Sequence, residues 1–147
     1  MKLYRNILNK KEKSALLKFV KTKVKNLGSN FPGLQTDPNL HTYEEMNILL
    51  NKIKKYYKGY LIDKCWGNFS TGNYLSWHAH RQFPLSMVYF IKNPYELGPF
   101  FKREGFEVLV TKCPENSLIL FDASLQHSVP CHLKADRYSI AFDLARK

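Results

Sequence analysis

His78 and His80 stand two residues apart in the stretch Tyr74-Leu75-Ser76-Trp77-His78-Ala79-His80, and His127 follows far downstream. On a strand, residues i and i+2 point to the same side. Imidazole is the commonest protein ligand for metal ions and suits zinc, copper, iron and nickel. Two histidines on one strand face and a third from a distant strand would occupy one side of a metal ion. The remaining positions would stay open to substrate, cosubstrate or oxygen. Spacing alone does not separate such a site from a chance arrangement of the chain's five histidines.

Ten residues after His127 stands Arg137, followed by Tyr138 and Ser139. An arginine turned into a small β domain needs an anionic partner, because an unpaired buried charge is costly. Its planar fork matches a carboxylate at two points, and the Ser139 hydroxyl faces the same way. The plain alternative is an ion pair within the chain, with Asp122, Asp136 or Asp143 as partner. His132 and Lys134 fall in the loop before Arg137, and His41 falls in another loop, where none needs a chemical role.

These residues require strands to hold them. Arg137, Ser139, Ala141 and Asp143 alternate with Tyr138, Ile140, Phe142 and Leu144, which predicts a strand with one polar face and one apolar face. Tyr74, Ser76, His78 and His80 alternate in the same way with Leu75, Trp77 and Ala79. Two polar strand faces in one small domain suggest a lined pocket. Further strands are predicted at Tyr60–Phe69, Leu85–Ile91, Pro99–Lys102, Phe106–Thr111 and Ser117–Phe121, the last buried on both faces. Gly72-Asn73, Asn93-Pro94 and Pro114-Glu115-Asn116 are turns. The first eight residues form a strand or arm.

Upstream the period is helical. Asn9 and Glu12 have capping-box spacing, Leu16, Leu17, Val20, Val24 and Leu27 make the apolar stripe, and Gly28 stops the helix. Residues 29–41 read as a loop. Thr42 and Glu45 form a second capping box before Met46, Leu49, Leu50 and Ile53, with Gly59 closing that helix. The expected fold is therefore α+β in a single domain over residues 1–147. Two helices within about 9–59 precede a jelly-roll-like β core over about 60–147 and pack on one outer face.

Composition narrows the classes. A chain of 147 residues supports one core. No apolar run approaches membrane-spanning length, and none follows Met1-Lys2-Leu3-Tyr4-Arg5, so neither a membrane span nor a signal peptide is expected. Cys65, Cys113 and Cys131 are odd in number and widely spaced, which favours buried thiols in a cytoplasmic setting over a disulfide framework. The net charge is +11, and residues 1–60 hold 13 of the 23 Lys and Arg but 4 of the 12 Asp and Glu. A solvated basic face accounts for this, and contact with nucleic acid is the alternative.

Taken together, Gly72 six residues before His78, His78-Ala79-His80, His127, and Arg137-Tyr138-Ser139 ten residues later resemble the Fe(II)- and 2-oxoglutarate-dependent dioxygenases of the compact prolyl-hydroxylase-like branch. Trp66-Gly67-Asn68-Phe69, Ser86-Met87-Val88-Tyr89-Phe90 and His127-Ser128-Val129-Pro130 resemble small phage- or bacteria-encoded members, over roughly residues 30–147. The resemblance implies a double-stranded β-helix of the cupin type. It also implies iron held by His78, His80 and His127, and 2-oxoglutarate held through its far carboxylate by Arg137 and Ser139. Asn68 and Tyr74 would add hydrogen bonds to the cosubstrate. Oxygen would convert 2-oxoglutarate to succinate and carbon dioxide while a C–H bond of an unidentified substrate is hydroxylated. The site would lie in the cytoplasm, or in the host cytoplasm for a phage-encoded protein. Gln126, Ser76 and Ser128 are sequence neighbours suited to orienting the imidazoles, and Trp77 and Phe121 are expected in the core.

One position departs from the family pattern: His80 stands where an aspartate or glutamate is usual. Either His80 ligates in a three-histidine site, or it turns away and leaves two ligands, or the chain keeps the fold as a binding or virion-assembly protein without turnover. A three-histidine dioxygenase without 2-oxoglutarate would leave Arg137 unexplained.

Overall fold

The strict alternation over residues 137–146 produces the central strand of the molecule. A computed structural model describes residues 1–27, 33–71, 75–102, 104, 107–129 and 135–147. Its elements, in chain order, are β1 (Lys2–Tyr4), α1 (Lys10–Lys23), β2 (Leu34–Gln35), α2 (Asn47–Ile53), β3 (Tyr60–Ser70), β4 (Leu75–His78), β5 (Leu85–Lys92), β6 (Leu97–Lys102), β7 (Val108–Lys112), β8 (Ser117–Asp122), β9 (His127–Val129) and β10 (Arg137–Arg146). The larger sheet has the order β1-β8-β5-β10-β3-β2 and the smaller one β4-β9-β6-β7. All these pairings are antiparallel. Two mostly antiparallel sheets with two short helices are consistent with a jelly roll.

β10 lies between β5 and β3. On one side Tyr138, Ile140, Phe142 and Leu144 join Met87, Tyr89 and Ile91 of β5 and Leu118 and Leu120 of β8 in one buried cluster. Leu16, Phe19 and Val20 of α1 and Leu49 and Ile53 of α2 belong to the same cluster. Each fully buried side chain of this kind contributes roughly 1.5–3 kcal/mol. Gly67 allows α1 to approach β3 closely: a Cβ there would meet Val20 Cγ1 at 3.0 Å and Thr36 Cγ2 at 3.1 Å. On the opposite side a smaller cluster of Phe90, Phe101, Cys113, Ile119 and Phe121 fills the space toward the second sheet.

The Asn9–Glu12 capping box forms, with Glu12 N–H donating to Asn9 Oδ1 at 2.8 Å and Asn9 N–H to Glu12 Oε1 at 2.9 Å. The helix ends earlier than its apolar stripe predicts. Val24 takes extended backbone (φ −71°, ψ 137°), and Leu27 is exposed. Gly28, Asn30 and Pro32 lie outside the described residues.

The expected second helix is broken. Short 3-10 turns at Leu40–Thr42 and Glu44–Met46 precede α2, and another at Lys54–Tyr56 follows it. The Thr42–Glu45 capping box does not form. Tyr43 is extended, and the Thr42 hydroxyl donates back to the Asn39 carbonyl at 2.8 Å. Gly59 takes a positive φ of 88° in the turn that leads into β3.

Several N-terminal lysines have local partners. Lys13 pairs with Glu115 and Lys25 with Asp37, while Lys23 lies over the Tyr43 ring and Lys21 over Tyr138. Cys65 and Cys113 are buried free thiols; Cys131 lies outside the described residues. No described helix is long and apolar enough to cross a membrane.

Candidate metal centre and anion pocket

β4 and β9 pair so that His78 and His127 are direct cross-strand neighbours, with ring centroids 4.2 Å apart. His80 lies two residues beyond β4, in the following turn rather than on the strand as the alternation suggests. Its N–H donates to the Ala123 carbonyl at 2.8 Å, and its carbonyl accepts from Phe83 N–H at 3.0 Å. Held at both ends, it brings its ring 5.3 Å from His78 and 5.5 Å from His127. One nitrogen from each of the three rings lies within 4.8 Å of the others.

The hydrogen bonds fix which nitrogens face one another. His78 Nδ1 meets the Ser76 carbonyl at 2.8 Å and His127 Nδ1 the Leu125 carbonyl at 2.9 Å. His80 Nδ1 meets both carboxylate oxygens of Asp143, at 3.0 and 3.1 Å. Each of these partners accepts, so each Nδ1 carries a proton, and in the neutral ring the lone pair is on Nε2. Three neighbouring imidazoles, each anchored through Nδ1 by a carbonyl or a carboxylate, are a donor set suited to a divalent transition metal. Burial pushes the His127 imidazole down to about 4, outweighing the Leu125 carbonyl and Asp143, which favour its protonated form. His78 is also lowered, chiefly by burial. Both therefore stand ready as neutral ligands near neutral pH.

The histidines open on a cavity of about 230 Å³ between the sheets. Arg137, Ser139 and Ala141 of β10 line it, with Asn68 and Trp66 of β3 and Gln35 of β2. Leu75, Val88, Pro99 and Val129 make the apolar wall. Among the described residues Arg137 forms no ion pair, and its Nε is buried without a hydrogen-bond partner. The three acids named as alternative partners do not take that place. Asp122 accepts from the Ser124 N–H and hydroxyl, and Asp143 is held by His80 and Ser86. Asp136 forms no ion pair among the described residues. The Arg137 guanidinium lies 5.1 Å over the Phe90 ring, and burial lowers it to about 10, so it remains a cation near neutral pH.

The structure thus brings His78, His80, His127, Arg137, Ser139 and Asn68 around one cavity. Gln35 donates to Asn68 Oδ1 at 2.8 Å, so Asn68 offers a ligand its NH2 group. Tyr74 and Gly72, with Asn73, Gly105, Pro130, His132 and Lys134, lie outside the described residues.

Some expectations fail for identifiable reasons. The β4–β9 register shifts between Leu75 and His78, so both face the cavity despite their odd spacing. Trp77 is half-exposed under Lys102, not core, whereas Phe121 is buried against the His127 ring. The imidazoles are oriented by the Ser76 and Leu125 carbonyls and by Asp143. The Gln126, Ser128 and Ser76 side chains do not do this. Gln35 and Asp143 had no place in the sequence-level site, although the polar face of β10 had marked Asp143.

No protein-family model and no curated protein matches the chain in sequence. Solved structures match it in shape. A 2OG-Fe(II) oxygenase family protein from Burkholderia pseudomallei superposes with a TM-score of 0.73 at 12% identity, covering 96% of this chain and 81% of that one. A prolyl-4-hydroxylase from Pseudomonas putida gives 0.71 at 13% identity, covering 99% and 92%. HygX from Streptomyces hygroscopicus, with nickel, 2-oxoglutarate and hygromycin B bound, gives 0.81 at 11% identity, covering 99% and 82%. The chain shares its fold with these proteins.

Proposed function

We propose that the chain is a single non-haem iron, 2-oxoglutarate-dependent dioxygenase domain that hydroxylates an unidentified substrate. Its two sheets would form a double-stranded β-helix with the helices on one outer face. What carries the proposal is the convergence on one cavity of three imidazole nitrogens and of an arginine that forms no ion pair among the described residues.

His78, His80 and His127 would hold the iron. Iron bound there would activate oxygen, the oxidant, for C–H hydroxylation coupled to the conversion of 2-oxoglutarate to succinate and carbon dioxide. The chain's own contributions are orientation and exclusion of water. Arg137 binds the far carboxylate of 2-oxoglutarate through its planar fork, and Ser139 and the Asn68 NH2 add hydrogen bonds. The Phe90 ring beneath the guanidinium covers one of its faces and favours its charged form. The apolar wall of Leu75, Val88, Pro99 and Val129 keeps bulk water from the reacting carbon. Free cysteines and a soluble cosubstrate suit an intracellular setting.

The test is an anaerobic titration of 2-oxoglutarate into the Fe(II)-loaded protein, followed by visible absorption. A saturable charge-transfer band is expected, weakened in Arg137→Ala and absent in His127→Ala. Absence of both band and retained iron in the unmodified protein would leave the fold as a binding or assembly module. Retained iron with no response to 2-oxoglutarate would point to a three-histidine dioxygenase of another kind.

A further inference from the structure

We propose that Asp143 is a positioning residue for the metal centre, supplying through His80 the negative charge that the three neutral ligands lack. The inference rests on the proposed function, since it concerns the same site. Three neutral imidazoles bring no charge to a divalent ion. Two imidazoles and one carboxylate would bring a single negative charge. Asp143 restores that total from one residue farther out.

The geometry is specific. Asp143 is 3% exposed, and both oxygens of its carboxylate meet His80 Nδ1, at 3.0 and 3.1 Å. Its only other described partner is Ser86, whose hydroxyl donates at 3.1 Å from the directly opposite position on β5. No described lysine or arginine pairs with it. A buried carboxylate held by one imidazole N–H and one hydroxyl is poorly compensated. A cation on the far nitrogen of the same imidazole completes the compensation, and the carboxylate in turn makes that imidazole a stronger donor.

The fold is adapted to hold this pair. Asp143 sits where β10 and β3 shift register, pairing with Lys64 while Leu144 pairs with Ile62, so Asp63 is the extra residue of a β-bulge. Bulges re-aim the side chains beside them. His80 is fixed by its two backbone hydrogen bonds. The pair is therefore rigid from both sides.

The test uses Co(II), which needs no oxygen and reports its coordination in the visible spectrum. Affinity is measured by equilibrium competition on the metal-free protein, with thermal unfolding of each variant as a check of folding. Asp143→Asn should weaken Co(II) binding about 10–100-fold without lowering the unfolding temperature of the metal-free protein. Asp143→Ser, which removes the same charge with a smaller side chain, should give a similar loss. In a His80→Asp background the ligand carries its own charge, and Asp143→Asn should change affinity by less than about threefold. Unchanged affinity in both Asp143 variants overturns the inference alone. An equal loss in both backgrounds also overturns it, since the carboxylate would then act without His80. An unmodified protein that binds no Co(II) overturns both this inference and the proposed function.

Discussion

The two sides of β10 place opposite demands on one backbone. The side bearing Tyr138, Ile140, Phe142 and Leu144 is packed into the larger hydrophobic cluster, where burial stabilises the fold. The side bearing Arg137, Ser139, Ala141 and Asp143 faces the cavity and the histidines. There, among the described residues, a buried guanidinium nitrogen has no hydrogen-bond partner, and a buried carboxylate has an imidazole and a hydroxyl as its partners. The first side stabilises the protein; the second holds partly compensated polar groups, which cost it stability. Removing a residue should therefore have different consequences on the two sides.

Phe142, fully buried, should show the largest stability effect. Phe142→Ala is expected to cost about 3–5 kcal/mol in urea denaturation. A cost below about 1 kcal/mol would break the contrast, because the helix-facing side would then not be the main source of stability.

The cavity side should appear next, in the pH dependence of the metal-free protein. The His127 imidazole titrates near 4 in the folded chain and near 6.5 when unfolded. Between those values the unfolded chain binds a proton that the folded chain refuses. Stability is therefore lost as the pH falls through this window, by about 3 kcal/mol from this residue. Denaturation measured at several pH values should show that slope, and His127→Gln should flatten it. A slope that survives the substitution would assign it to other groups.

Arg137→Met separates ligand binding from folding. The unfolding temperature of the ligand-free protein should stay level or rise. Meanwhile 2-oxoglutarate binding should weaken about 10–100-fold, as expected for losing charge-assisted hydrogen bonds worth about 1.5–3 kcal/mol. A sharp fall in ligand-free stability would show that the guanidinium is structural.

Ser139→Ala should have the smallest effect. We expect a few-fold loss of 2-oxoglutarate affinity, about 0.5–1.5 kcal/mol, with little change in unfolding. Calorimetric titration would reveal whether even that hydroxyl matters.

What the sequence made legible was mostly periodic or local. The alternation along residues 137–144 carried the division between core and cavity, and the Asn9–Glu12 spacing carried the start of α1. The histidine spacing drew attention to residues that do lie together. What stayed hidden depended on contacts between distant residues or on irregular backbone. The Asp143–His80 pair joins positions 63 residues apart, and no local pattern announces it. The shift between Leu75 and His78 defeated simple alternation. Thr42 had capping-box spacing, but its hydroxyl found the Asn39 carbonyl behind it first.

The position of β10 also has a consequence in time. Its residues follow those of every other described strand in the sequence, yet it occupies the middle of the larger sheet, between β5 and β3. During synthesis both neighbours must wait with open edges, and such edges invite pairing with other chains. Arg137, Ser139 and Asp143 enter with that same late strand. Completion of the sheet and arrival of the groups proposed to bind the anion and supply the charge are thus a single event, so a chain stalled before residue 137 would have neither a closed sheet nor these cavity-side groups.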